Sequence, residues 1–252
     1  MGYKMKSCEK KPLALIGEKA DEKIINSLTE NGFEALTLPA DYRLALPVAH
    51  HADMLMLRIN DTVFCNKEYF DANNSIFARI SEYGYTVCPE SFEVSNKYPY
   101  DIALNQAVIS KNIIGKADSC AECVLNYAKK QGYVYHSTNQ GYAKCSVLIL
   151  GDKAVISADD GILMIAKGLG LDTLKIENGI GEIFIDGYDY GFIGGVSAVY
   201  GDKVFFFGSL ESHSQRNKIT KFCAEHGFSV IELSNSPLCD LGGAIILPYI
   251  KS

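Results

Sequence analysis

Eight cysteines, five histidines and a scatter of aspartates give this 252-residue chain side chains for several kinds of chemistry, and their placement narrows the choice. A thiol becomes a working nucleophile when a nearby imidazole or ammonium lowers its pKa and a carboxylate orients the base. Cys145 and Cys239 are the two candidates, the first one step into an apolar strand in GYAKCSVLI and the second in the loop that precedes the glycines of NSPLCDLGG. His51, two residues before Asp53 in HHADMLM, offers the base and its carboxylate. Asp101 and Asp240 add negative charge able to hold a cation. Lys144 would favour a thiolate at Cys145 if both side chains pointed the same way, which alternation along a strand opposes.

Other reactive residues have plainer readings. Cys120 and Cys123 have the spacing of a redox or half-zinc pair, but no second pair accompanies them and they fall on an amphipathic helix pattern, where core packing accounts for them. His226, just before Gly227, suits the negative end of a helix. His136 and His213 have no evident partners. Gly194-Gly195 and Gly242-Gly243 lack the Gly-Lys-Ser/Thr of a phosphate loop; close backbone approach at a ligand site explains them better. The remaining cysteines, among them Cys8, Cys65, Cys88 and Cys223, read as reduced and mostly buried thiols.

Composition bounds the setting. With 48% hydrophobic and 21% charged residues there is enough apolar material for a packed core. A formal charge of −6 and no dense Lys/Arg cluster argue against a nucleic-acid partner. No apolar run reaches the roughly 18 residues of a membrane span. The start MGYKMKSCEKKP has charge without a hydrophobic stretch behind it, and Lys6 stands where myristoylation wants Ser or Thr, so neither leader nor lipid anchor is expected and the location reads as cytoplasmic. Nothing in the candidate set calls for a metal or an organic cofactor.

The elements that must position these residues recur along the chain. A helix-like stretch closing at Gly plus an aromatic, then a few strand residues, appears at Gly32, Gly84, Gly132 and Gly227, with a variant around Gly170. Two-strand patterns recur as well, in MLMLRINDTVFC, NQAVISKNIIG, SVLILGDKAVIS and SAVYGDKVFFFG, with short polar turns such as Gly151-Asp152-Lys153 and Gly201-Asp202-Lys203. A fifth copy, GGAIILPYIKS, stops after its first strand. The segment 12–18 supplies the missing partner and would close a ring, removing exposed edges. One domain of five helix-plus-hairpin repeats follows, at about 13–66, 67–117, 118–159, 160–209 and 210–250. Aligned on the turns, His51, Asp101, Tyr142, Phe192 and Asp240 fall at one position, and Asp53, Ala103, Lys144, Gly194 and Gly242 at the position two residues later. Polar residues entering apolar strands from different units should therefore meet in one concavity.

Five such units over the whole chain resemble the pentein superfamily, the β/α-propeller of guanidino-group-modifying enzymes that includes deiminases, dimethylarginine dimethylaminohydrolase and amidinotransferases. The resemblance is strongest in GFIGGVSAVYGDKVFFFGSLESHSQRN. His51 and Asp53 resemble the deiminase His-x-Asp strand start, GYAKCSVLI resembles the strand that carries the nucleophilic cysteine of the dimethylarginine hydrolases and so would put Cys145 at or one residue beside that position, and Gly242-Gly243 resembles the carboxy-terminal glycine pair. Three positions depart from the family pattern. Ile193 replaces the acidic residue before the central glycines, Ala244–Leu247 carries no cysteine, and the His-x-Asp lies in the first unit where the family has it in the fourth.

The resemblance implies an α/β propeller and a cysteine-dependent hydrolase or amidinotransferase acting on a small guanidino or amide compound. Cys145 or Cys239 would be the thiol, with His51 and Asp53 as its catalytic partners. Asp101, Tyr142, Lys144, Gly194, Asp240 and Gly242 would surround the ligand. The alternative is a non-catalytic member of the same fold that binds a small cation or a macromolecular partner, as the missing landmarks suggest.

Overall fold

The computed structural model describes residues 10–251. Residues 1–9, with Cys8, and residue 252 lie outside the described residues, and so does the reading of the amino-terminal stretch as neither leader nor lipid anchor.

All four complete hairpins are present. Met56–Ile59 pairs antiparallel with Thr62–Asn66, Ala107–Ile109 with Asn112–Gly115, Val147–Leu150 with Ala154–Ser157, and Ser197–Tyr200 with Lys203–Phe206. Their turns place Asn60, Ser110, Gly151 and Gly201 in the left-handed region, with φ of 54°, 52°, 64° and 60°. Glycine enters that region without steric cost and asparagine with little.

A helix follows each hairpin or leading strand: Glu22–Glu30, Asn74–Glu82, Glu122–Lys130, Asp160–Gly168 and Arg216–Glu225. Each buries a stripe at helical spacing, as with Ile24 and Leu28, or Ile162, Leu163 and Ala166. The five glycines read as helix stops all take positive φ, from 72° to 93°.

The strand after each helix then runs parallel to the strand that entered it. Thr86–Glu90 pairs with Thr62–Asn66, Val134–Ser137 with Asn112–Gly115, Asp172–Lys175 with Ala154–Ser157, and Ser229–Glu232 with Lys203–Phe206. Each three-stranded sheet is therefore a hairpin, a helix and a parallel return strand, so the sheets are offset from the helix-first periods of the sequence. The period expected at 13–66, for instance, splits between two sheets. A strand leaving a helix needs a partner already in place, and the incoming strand is the one at hand.

Leu13–Gly17, buried throughout, lies between Ala244–Leu247 on one side, antiparallel, and Glu34–Leu38 on the other, parallel. Burying Leu13, Leu15 and Ile16 contributes about 1.5–3 kcal/mol each. Among the described residues five three-stranded sheets of one pattern result, with an unforeseen two-stranded parallel pair, Ile183–Phe184 with Leu238–Cys239. The architecture is mixed α/β. Leu57, Val108, Leu148, Val199 and Ile245, one from the leading strand of each sheet, line a single cavity of about 290 Å³. Among the described residues no helix is long and apolar enough to cross a membrane.

Candidate functional site

The polar segments leading into these strands converge. His51 caps the short helix Ala52–Leu55 in extended conformation, with Asp53 in its first turn, and the helix runs straight into Met56–Ile59. Residues 143–146 form a turn and the strand begins only at Val147, so Cys145 is not inside a strand as the sequence suggested. The alternation that would have parted Lys144 from Cys145 does not apply there. Asn105 holds this turn: its Oδ1 accepts the amides of Lys144 (2.8 Å) and Cys145 (3.2 Å) while its Nδ2 lies 3.2 Å from Cys145 Sγ. From the other side the Gly194 and Gly195 amides donate to the Cys145 carbonyl, at 2.8 and 3.1 Å.

So held, Cys145 Sγ donates to Asp53 Oδ2 at 2.9 Å. A nitrogen of His51, the sulfur and a carboxylate oxygen of Asp53 all lie within 4.8 Å of one another, a donor set that could also take a thiophilic metal ion. His51 Nδ1 is 3.7 Å from Asp240 Oδ1. Asp240 in turn accepts the amides of Phe192 (2.8 Å) and Gly242 (3.0 Å). The glycines are there for close approach. A Cβ on Gly242 would sit 2.3 Å from His51 Cβ, one on Gly195 would sit 1.9 Å from Asp240 Oδ1, and one on Gly194 would meet the Lys144 and Val147 carbonyls at 2.4 Å. Lys144 Nζ reaches the Gly194 carbonyl at 3.3 Å.

Burial dominates the electrostatics. It pushes the Asp53 carboxyl up to about 7, against the pull of the Lys144 charge, and Asp240 up to about 6 despite its two amide donors. It pushes His51 down to about 3, so the imidazole is neutral, and raises the Cys145 thiol well above its ordinary value, with the Asp53 and Asp240 charges adding to the effect. Both ring nitrogens of His51, Asp53 Oδ1 and Asp101 Oδ1 are buried with no hydrogen-bond partner. An unmet buried polar atom costs about 1–3 kcal/mol, so several in one place mark a site built for something that binds there.

A cavity of about 300 Å³ opens onto this cluster. His51, Cys145 and Asp240 form its buried end, and Tyr142, Tyr188, Tyr190 and Phe192 line it towards solvent with Val48, Ile185 and Asp189. Asp53, Lys144 and Gly242 face the second cavity, the one lined by the leading strands, so the two spaces lie on opposite faces of one polar layer.

The alignment of strand starts is reproduced as a series of contacts. Asp101 accepts from the Tyr142 hydroxyl (2.6 Å), Tyr142 stacks on Phe192 with centroids 6.5 Å apart, and Phe192 and His51 both meet Asp240. Besides Asp53, Lys144 and Gly242 on the opposite face, three expected residues, Gly194, Asp101 and Cys239, line neither cavity. Asp101 stands behind Tyr142 and does not line the cavity. Cys239 lies in the short strand Leu238–Cys239 and packs against an apolar cluster that includes Ala14 and Leu241, its thiol pushed by burial up to about 11. Cys120 and Cys123 pack against the core, and Ile193 is itself a core residue. Sequence reasoning missed Asn105, whose only signal is a polar Asn-Gln pair before an apolar strand. It missed Tyr188, Asp189 and Tyr190 as well, which come from the loop pinned by Asp240 N to Phe184 O (2.8 Å) and Gly191 N to Ile183 O (2.9 Å).

Among solved structures, the chain is similar to an inosamine-phosphate amidinotransferase from Streptomyces griseus (TM-score 0.61, 12% identity, covering 97% of this chain and 95% of that one). It is also similar to the Pseudomonas aeruginosa dimethylarginine dimethylaminohydrolase complexed with citrulline (0.57, 12%, 90% and 92%) and to a Campylobacter jejuni agmatine deiminase (0.51, 8%, 91% and 89%). At such identities the likeness establishes the fold, which is that of the pentein superfamily. No curated protein matches by sequence. Residues 15–245 match the model described as "Family of unknown function (DUF6873)", and with nearly its whole length inside that match the chain belongs to this family.

Proposed function

We propose that the protein is a cysteine-dependent hydrolase or amidinotransferase acting on a small guanidino, amidino or amide compound, with Cys145 as nucleophile. The observation that carries this is the 2.9 Å contact of the Cys145 thiol with Asp53, beside an unpartnered His51 at the buried end of a cavity. We read the five sheets as a five-fold β/α-propeller sealed by Leu13–Gly17. The pairing of that strand with Ala244–Leu247 and the cavity shared by all five leading strands support this. The site then lies at the propeller's mouth.

In this reading Asp240 holds the substrate cation, with Tyr142 and Phe192 against its flank. Asp53 takes the thiol proton as sulfur bonds to the central carbon, whose C=N electron pair moves onto nitrogen. The resulting adduct breaks its C–N bond, and the leaving amine departs with a proton handed on through His51. Water, or a second amine in a transfer, then adds to the same carbon and gives its proton to the same relay. Rupture of the C–S bond restores the thiol. Burial, with the Asp53 and Asp240 charges adding to it, keeps the Cys145 thiol protonated, and a substrate cation beside Asp240 offsets the part that the charges contribute. Gly194, Gly242 and Lys144 shape the polar layer beneath.

The test is covalent capture: a chloroacetamidine probe should alkylate Cys145 selectively near neutral pH, as read by mass spectrometry, and Cys145→Ala should abolish both labelling and turnover. Labelling spread evenly over the cysteines, or turnover that survives Cys145→Ala, overturns the reading. The second reading, a binding protein without turnover, is favoured by the burial that raises the Cys145 thiol well above its ordinary value and by Ile193, which stands where the family pattern has an acidic residue. It predicts ligand-induced stabilisation with no product.

A further inference from the structure

The cavity's lining has an uneven chemistry. Four aromatic rings, Tyr142, Tyr188, Tyr190 and Phe192, and two carboxylates, Asp189 and Asp240, face it, and no lysine or arginine does among the described residues. Three of the rings touch in series: Tyr142 stacks on Phe192 at 6.5 Å, and Tyr190 meets Phe192 at 6.0 Å with an interplanar angle of 81°. Two lysines act on the site's charges from outside. Lys144 faces the opposite cavity with its Nζ on the Gly194 carbonyl, and Lys19 is exposed and acts on His51 only through space.

A ligand in such a space meets negative charge at its depth and its rim, and π-faces between. A cation within about 6 Å of an aromatic centroid is attracted by the ring quadrupole, and a carboxylate there finds like charges and no counterion. We propose that the cavity takes a small organic cation carrying no carboxylate or phosphate, its charged end against Asp240 and its body against the Tyr142, Tyr190 and Phe192 rings. Amino-acid substrates bearing an α-carboxylate are thereby refused, and alkyl- or aryl-substituted guanidines and amidines are accepted. The unpartnered His51 nitrogens at the buried end are the polar atoms such a cation would leave facing its reacting carbon. This inference rests on the reading of the cavity as the substrate site, but it concerns what binds there and not whether turnover follows.

A matched pair tests it. Butylguanidine and 4-guanidinobutanoate share the guanidinium and the chain length and differ by one carboxylate. Titration calorimetry on the Cys145→Ala protein, which separates binding from catalysis, should show butylguanidine held at least about ten-fold more tightly, with arginine as weak as 4-guanidinobutanoate. Tyr190→Leu at the exposed rim should weaken butylguanidine about two- to five-fold, the size of an exposed cation–π contact. Asp189→Arg should narrow or invert the preference while leaving the melting temperature near that of the parent. Equal or tighter binding of the carboxylate-bearing compounds overturns the inference, and so does no binding of any guanidine. Preferential binding of butylguanidine without turnover by the unsubstituted protein leaves the inference standing and removes the enzyme reading instead.

Discussion

Cys145 Sγ and Asp53 Oδ2 stand 2.9 Å apart although 92 residues of sequence separate them, the thiol donating to a carboxylate that burial holds up to about 7. A carboxylate poised near neutrality is a workable base for a thiol, whereas an exposed aspartate, near 4, would be a poor one. Asn105 fixes the turn that brings the sulfur there, and Gly242 leaves the room that His51 and Asp53 need.

The two cysteines singled out in sequence should therefore behave very differently. Cys145→Ser should lower turnover by about 1000-fold or more with an unchanged circular-dichroism spectrum, and Cys239→Ser should leave it within about two-fold. Steady-state kinetics on both variants checks this, and loss of activity only in the Cys239 variant would relocate the nucleophile.

The buried carboxylate makes a pH-dependent stability prediction. The Asp53 carboxyl has a folded pKa of about 7 against an ordinary 3.8. The folded state thus holds the proton more tightly, and the stability this confers is full below the unfolded value and lost as pH rises through the folded one. Asp53→Asn removes that loss. It should raise the melting temperature by about 5 °C at pH 8 and have little effect at pH 4. Turnover should rise along an acidic limb as Asp53 ionises, and the same substitution, which removes the base, should abolish turnover at every pH. His50 and His51, each pushed down to about 3 chiefly by burial, act in the opposite sense, losing stability as pH falls from 6.5 towards 3.

Gly242→Ala should be among the costlier methyl additions in the chain. The residue has φ +72° and its Cβ would lie 2.3 Å from His51 Cβ. A loss of about 3 kcal/mol is expected, read as a fall of about 6–12 °C in melting temperature. The same alanine at Gly132, where nothing lies within 4 Å, meets only backbone strain and should cost about 1–2 kcal/mol.

Metal dependence separates the two chemistries that the His51, Asp53 and Cys145 atoms could support. If the thiol is the nucleophile, prolonged chelation leaves turnover unchanged and added zinc inhibits by occupying those atoms, an inhibition measured as loss of probe labelling at Cys145. Turnover abolished by chelation and restored by zinc would make the same three residues a metal centre.

Much of the architecture was legible because it rests on local patterns. Glycines 32, 84, 132, 170 and 227 end helices through their own backbone freedom, and hairpins such as 147–157 carry their register in the turn. The sheet boundaries were less legible, because parallel pairing of Thr86–Glu90 with Thr62–Asn66 leaves no local signature. Equivalence of strand starts was enough to bring His51, Tyr142, Phe192 and Asp240 into one neighbourhood. It could not tell which of them would face the cavity: Asp101 occupies an equivalent position yet ends behind Tyr142. Cys145 was placed in a strand because GYAKCSVLI turns apolar at its position, while the turn there is imposed by Asn105, 40 residues away. Tyr188 and Tyr190 lie in a loop without periodicity and owe their place to the Ile183–Phe184 pairing with Leu238–Cys239.

Leu13–Gly17 shares its hydrogen bonds between neighbours drawn from opposite ends of the described chain. During synthesis it can join Glu34–Leu38 early, yet its other edge stays open until residues 244–247 leave the ribosome. Asp240 and Gly242 emerge only just before them. A chain cut short before residue 240 therefore lacks at once the strand that covers this edge and the carboxylate facing His51.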